Sequence, residues 1–133
     1  MAYAKTVTIR QYNDNDFEIL IDETDCAATS EAEISDERLP RQFRIFRQVC
    51  VLVSGTGASV DPILGRATNP SGRDVFAENG TPAATVDNVA VVPIPCYNTD
   101  ENDPGKLYHR SRPNAGTDNV VRSSYLIRAD WEG

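Results

Sequence analysis

The one histidine of the chain, His109, sits in Lys106-Leu107-Tyr108-His109-Arg110. With a serine and an acid it would have the parts of a hydrolytic triad, in which the imidazole takes the proton of an attacking hydroxyl. No Gly-x-Ser-x-Gly turn is present to lift such a serine clear of its strand, so the reading is a strand-end histidine bonded to backbone or solvent. The three cysteines, Cys26, Cys50 and Cys96, contain no Cys-x-x-Cys pair, and their odd number leaves at least one without a partner in its own chain. A thiol nucleophile needs a base beside it, and His109 is the only imidazole available. The expected role is three small buried hydrophobes in a reducing compartment, best for Cys50 in Val49-Cys50-Val51-Leu52-Val53.

The carboxylates are no more conclusive. Asp22, Glu23 and Asp25 lie near Glu31 and Glu33, and two of them facing each other across a cleft could do acid and base work on a sugar. Nothing in their spacing sets them so. Asp100-Glu101-Asn102-Asp103 is rich in the oxygen ligands that calcium takes, but Pro104 occupies a ligand position and no glutamate closes the loop. Asn13-Asp14-Asn15-Asp16 is read as a turn, because Asn and Asp belong in turns for backbone reasons alone. Ser54-Gly55-Thr56-Gly57-Ala58 is Gly-rich but lacks the Lys-Ser/Thr of a phosphate loop, and Asn79-Gly80-Thr81 is a formal glycosylation sequon best used as a turn. No catalytic residue, cofactor or metal is expected.

The whole chain of 133 residues has the length of one domain, 1–133, and can bury a core without staples. With 13 basic residues against 20 acidic ones the net charge is −7, which disfavours binding to nucleic acid backbones. Apolar runs are five residues at most, too short to cross a membrane, and residues 1–5 are not followed by a signal-peptide core, so a soluble protein outside the Sec route is expected.

The elements that would position any site are strands. Twelve Val, eight Ile and ten Thr against six Leu and one Met favour pleated backbone, and no apolar stretch keeps a 3.6-residue period. Residues 5–12 and 17–22 flank the Asn/Asp tip as a β-hairpin, with Phe17, Ile19 and Ile21 on one side and a tip suited to the positive φ values and side-chain-to-backbone bonds of a tight turn. Ala32 and Ile34 alternate with Glu31 and Glu33. Residues 42–54 form the strongest strand, with Phe43, Ile45, Val49, Val51 and Val53 on one face and a second half buried on both sides, as in a central strand of a sandwich. Residues 55–82 are punctuated by Gly and Pro, residues 86–94 end at Pro93 and Pro95 as an edge strand, and Val121, Ser123, Tyr125, Ile127, Ala129 and Trp131 share a face of the last strand. The fold class is all-β: a single-domain β-sandwich, or a jelly-roll or barrel-like fold, with an N-terminal hairpin, a short arm at 1–5 and long Gly/Pro-rich loops.

Charge is unevenly placed. Residues 11–40 carry ten acids and one base, and Arg41, Arg44 and Arg47 come directly after them. Eleven Arg against two Lys is the bias of interfaces, since guanidinium tolerates partial burial and pairs in two-pronged fashion. Segments of opposite sign invite contact between copies or with a partner of reverse pattern; pairing between neighbouring strands of one chain is the competing use.

Together, the acidic chain of this size, its leading hairpin, the segment Leu39-Pro40-Arg41-Gln42-Phe43-Arg44-Ile45-Phe46-Arg47-Gln48-Val49-Cys50, the Gly/Pro-rich middle and the ending Tyr125-Leu126-Ile127-Arg128-Ala129-Asp130-Trp131 resemble the small all-β virion proteins of tailed bacteriophages. Capsid cement or decoration proteins and head or tail accessory subunits are the nearest types. The resemblance is one of style, with no fingerprint matched residue by residue. It implies a non-enzymatic protein, often a trimer, that reinforces joints of the capsid lattice, with the major capsid protein or other virion subunits as partners, assembly in the host cytoplasm and a final place in the virion. Candidate assembly contacts are Arg41, Arg44, Arg47, Met1, Ala2 and Tyr3. The alternatives are a phage neck or tail accessory subunit, or a β-sandwich module binding a carbohydrate or surface partner through loop residues such as Tyr97 beside Asp100.

Overall fold

In a computed structural model, residues 2–35, 38–40, 42–72, 75–94 and 106–129 are described, 90–94 by their backbone alone. Met1, Arg41, Cys96, Tyr97, Asp100 and Trp131 lie outside them. The described chain is all-β and forms two antiparallel sheets, as the β-branched composition demands. Its strands are β1 (Ala4–Gln11), β2 (Asp16–Cys26), β3 (Ala32–Ile34), β4 (Phe43–Ser54), β5 (Ile63–Gly65), β6 (Val75–Glu78), β7 (Thr85–Ile94), β8 (Leu107–Arg110) and β9 (Asn119–Ala129).

One sheet has the order β1-β2-β9-β4-β7 and the other β3-β8-β5-β6. Antiparallel pairs are nested: β5 with β6, β4 with β7, β3 with β8, and β2 with β9. Eight strands thus form one long hairpin rolled into two layers, which is the jelly-roll topology, and β1 is added to the edge beside β2. Of the arm at 1–5, Ala4 and Lys5 belong to β1, opposite Thr24 and Glu23. At the hairpin tip Asn13 Oδ1 accepts from the backbone N–H groups of Asn15 (2.8 Å) and Asp16 (2.9 Å). Those side-chain bonds, expected of such a tip, make the turn without the positive φ values also expected there; among the described non-glycine residues these occur at Asp25, Asn69 and Arg112. Pro93 sits on β7, an edge strand, where its missing N–H leaves the ladder intact.

The space between the sheets is divided into two apolar clusters. Phe17, Ile19, Ile21, Ile34, Phe43, Ile45, Leu64, Leu107, Tyr125 and Ile127 belong to the larger, and Cys26, Cys50, Val60, Val86 and Val121 to the smaller. Both described cysteines are free and buried.

The strand at 43–54 departs from its expected phase. A β-bulge between Ile45 and Arg47 gives β4 one residue more than β9 and β7 one more than β4, and a strand's faces exchange when its count slips by one. Phe43 and Ile45 face inward, but beyond the bulge the inward set is Gln48 and Cys50. Val49 and Val51 therefore face outward and are half-buried, and Val53 is exposed, so the second half of β4 is fully buried on one side only.

Candidate functional site

Between the two apolar clusters lies a polar layer built from inward positions of four strands. Glu23 continues the Phe17, Ile19, Ile21 face of β2, and Ser123 lies next to Tyr125 on the inward face of β9. Gln48 comes from β4 after the bulge, and His109 from β8 of the opposite sheet, with Ser111 just beyond it. Glu23, Gln48, His109, Ser111 and Tyr125 have no solvent exposure. This corrects the expectation of a histidine bonded to backbone or solvent: both ring nitrogens of His109 meet side chains.

One set of donors satisfies the whole layer, and it assigns the tautomer. The Gln48 amide donates to Tyr125 Oη (3.0 Å), leaving the Tyr125 hydroxyl to donate to His109 Nδ1 (2.6 Å). The proton of the imidazole is then on Nε2, which faces Ser111 Oγ at 2.8 Å, Ser123 Oγ at 3.2 Å and Glu23 Oε1 at 3.4 Å. The Ser111 hydroxyl donates to Glu23 Oε1, while Tyr3 (2.7 Å) and the Cys26 thiol (3.5 Å) donate to Oε2. Ser123 donates to Cys50 Sγ at 3.3 Å.

Burial by itself would raise the Glu23 carboxyl, but the hydrogen bonds from His109, Ser111 and Tyr3 outweigh it and hold the group below its ordinary value. Burial and then the charge of Glu23 push Tyr3 and the Cys26 thiol far up. Burial also raises Tyr125, and it pushes the Cys50 thiol up to about 11. Serine, imidazole, carboxylate and thiol are therefore together, yet sealed from solvent. Ser111 directs its proton to Glu23 rather than to the imidazole, the reverse of what a nucleophile requires. Among the described residues no group of His, Cys, Asp and Glu is arranged to hold a metal. The layer braces one sheet against the other.

The outer face of the five-stranded sheet is organised differently. Outward positions of β2 read Asp16, Glu18, Leu20 and Asp22; those of β9 read Arg122, Ser124, Leu126 and Arg128. Across β2, β9 and β4 the register forms the rows Asp22–Arg122–Val51, Leu20–Ser124–Val49, Glu18–Leu126–Arg47 and Asp16–Arg128–Arg44. A column of acids thus adjoins columns of arginines, with half-buried Leu20, Leu126, Val49 and Val51 between them, and Val89 of β7 is 78% exposed. Pairs on this face are open: Asp16 with Arg128 at 2.8 Å, Asp22 with Arg122 at 3.5 Å, and Arg47 two-pronged on Asp87 at 2.8 and 2.5 Å.

Beside the hairpin tip this face sinks into a groove of about 340 Å³ lined by Tyr12, Asp16, Phe17, Phe46, Leu126, Ile127 and Arg128. Tyr12 is 58% exposed with its hydroxyl donating to Glu18 (2.6 Å), and the Arg128 guanidinium lies 5.6 Å from the centre of the Phe46 ring.

The candidate contacts separate accordingly. Arg44 and Arg47 stand exposed on the outer face, and Arg47 is bound to Asp87 of the neighbouring strand. Ala2 is exposed, whereas Tyr3 is tied into the polar layer through Glu23. Sequence reasoning passed over Glu23, Ser111 and Gln48 as members of one layer; the phase of Glu23 with Ile19 and Ile21 was the available signal, and the bulge hid that of Gln48.

No protein-family model matches the chain, and no curated protein matches it in sequence. Among solved structures, a chain of the cyanophage Pam1 capsid asymmetric unit aligns over 94% of this chain and 86% of its own, at 12% identity and a TM-score of 0.39. A chain described under "CBM4 structure and function" aligns over 93% and 89%, at 10% identity and a TM-score of 0.31. Among the described residues no helix is long and apolar enough to cross a membrane.

Proposed function

We propose that this protein is a non-enzymatic structural subunit of a tailed-phage virion, of the capsid cement or decoration type, which strengthens the lattice through protein–protein contacts. Jelly rolls serve in viral capsid and lectin domains alike, so the fold does not choose. The observation that carries the reading is the division of the polar groups. Those able to do chemistry are sealed and used to brace the sheets, while the broad face left to solvent has interspersed apolar and arginine positions suited to another protein. The test is to purify virions from a lysate expressing the gene, quantify the chain by mass spectrometry and locate it by cryo-electron microscopy. Stoichiometric density on the head supports the proposal, density on the neck or tail makes it an accessory subunit, and absence from virions overturns it.

The groove favours a second reading, a carbohydrate-binding module. Its exposed Tyr12 ring offers an apolar platform for a pyranose, with Asp16 and Arg128 at hand for hydroxyls. Glycan arrays and titration calorimetry with the native chain and Tyr12→Ala decide it: binding lost in the variant supports this reading, and silence in both experiments removes it.

A further inference from the structure

We propose that the outer face of the five-stranded sheet joins two copies of this chain about a twofold axis, the acid column of β2 on one copy meeting the arginine column of β9 on the other. The inference rests on the proposed structural role and names its first partner, a second copy.

A twofold contact requires a patch complementary to itself. The patch here has that property in two of its rows, where the two signs lie in adjacent columns: Asp16 and Asp22 on β2, Arg128 and Arg122 on β9. An axis parallel to the strands, above the boundary between β2 and β9, exchanges the columns while keeping their rows. Asp22 then meets Arg122 of the second copy and Asp16 meets Arg128 of the second copy, because each pair already shares a row of the ladder; the row of Arg10, Glu18, Leu126 and Arg47 sets Glu18 over Leu126 and Arg10 over Arg47, so the complementarity rests on the Asp22 and Asp16 rows. Leu20 and Leu126 lie between these rows, half-buried and open for the remainder of their surface. The intramolecular pairs do not exhaust the charges. Asp22 and Arg122 are 61% and 73% exposed and meet at one contact of 3.5 Å. A carboxylate has about four acceptor sites and a guanidinium five donors, so each pair can join a four-membered network across the axis. Excluding water between two such faces strengthens every one of these attractions and removes the aliphatic stripe from solvent. A threefold ring would instead need two unlike patches that match each other.

Sedimentation of the full chain over a range of salt concentrations tests the proposal, together with two charge-reversed variants, Arg122→Glu/Arg128→Glu and Asp16→Arg/Asp22→Arg. These outward positions leave the core untouched, and near-ultraviolet circular dichroism checks that each variant is folded. The native chain is expected to sediment with twice its chain mass and to dissociate as salt rises. Each variant alone is expected to self-associate about a hundredfold more weakly, and a mixture of the two to recover dimer, because acid again meets base. A native monomer, a trimer, or a dimer indifferent to both reversals overturns the inference. Virion content is read separately: a native monomer still present in virions removes the dimer alone, and a salt-sensitive dimer absent from virions removes the virion role alone.

Discussion

Asp22 and Glu23 are consecutive residues of β2 with opposite fates. Asp22 points outward, 61% exposed, and meets Arg122 at 3.5 Å in full view of solvent. Glu23 points inward, fully buried, and receives Tyr3, Ser111 and Cys26 as donors beside His109. The pleat alone separates them, and it makes a difference in kind. An exposed pair is replaceable by water, so losing it costs the fold little. A buried carboxylate has no such substitute, and its donors are orphaned with it. The fold can therefore tolerate substitution on the outer face, whereas the inner layer ties one sheet to the other through side-chain bonds.

The largest effect is expected from Glu23→Ala. It takes the acceptor from the Tyr3, Ser111 and Cys26 donors at the buried layer, and the loss is about 3 kcal/mol or more, seen as a melting temperature lower by roughly 10 °C. A loss no larger than that of an exposed substitution would show that the layer does not brace the sheets. Tyr125→Phe sharpens the same point by keeping the ring and deleting only the hydroxyl between Gln48 and His109. It is expected to cost about 1–3 kcal/mol in chemical denaturation.

Acid comes next. Because the Glu23 carboxyl is lower in the folded state than in the unfolded chain, its stabilisation is complete above the ordinary carboxylate value, about 4.3, and is lost as pH falls through the lower folded value. The native protein should lose melting temperature over that window more steeply than Glu23→Gln does. Parallel curves would assign the acid sensitivity to exposed acids such as Asp16 and Asp87, which their arginines also hold low. The thiols offer a gentler probe. With Cys50 pushed up to about 11 and Cys26 further, both should resist alkylation at mildly alkaline pH in the folded protein and react once it is unfolded, as peptide mapping would show. The smallest effect is expected from Arg47→Ala on the outer face, which breaks the pair with Asp87 and should leave the melting temperature essentially unchanged. A large drop there would erase the contrast between the two regions.

Much of the architecture was legible in local pattern. The hairpin, the alternation at Ala32 and Ile34, the edge position of the strand ending in prolines and the inward face of β9 all derive from period-two alternation and turn chemistry, which depend on near neighbours in the chain. The phase of β4 was not. A bulge arises from how β4 is matched to β7 and β9 at once, and no residue of 43–54 announces it. It carries Gln48 into the polar layer and Val49 and Val51 to the outer face, so the inner layer and the outer face both depend on it.

The sequence by itself determined the strand class, the acidic charge and the separation of acids from arginines along the chain. Only the tertiary structure decided which of those charges became neighbours, because β8 and β9 meet β2 across separations of more than eighty residues. Burial is likewise collective. His109 has no exposed atom because β2, β4, β8 and β9 close around it, and that turns residues with the makings of a catalytic site into a brace.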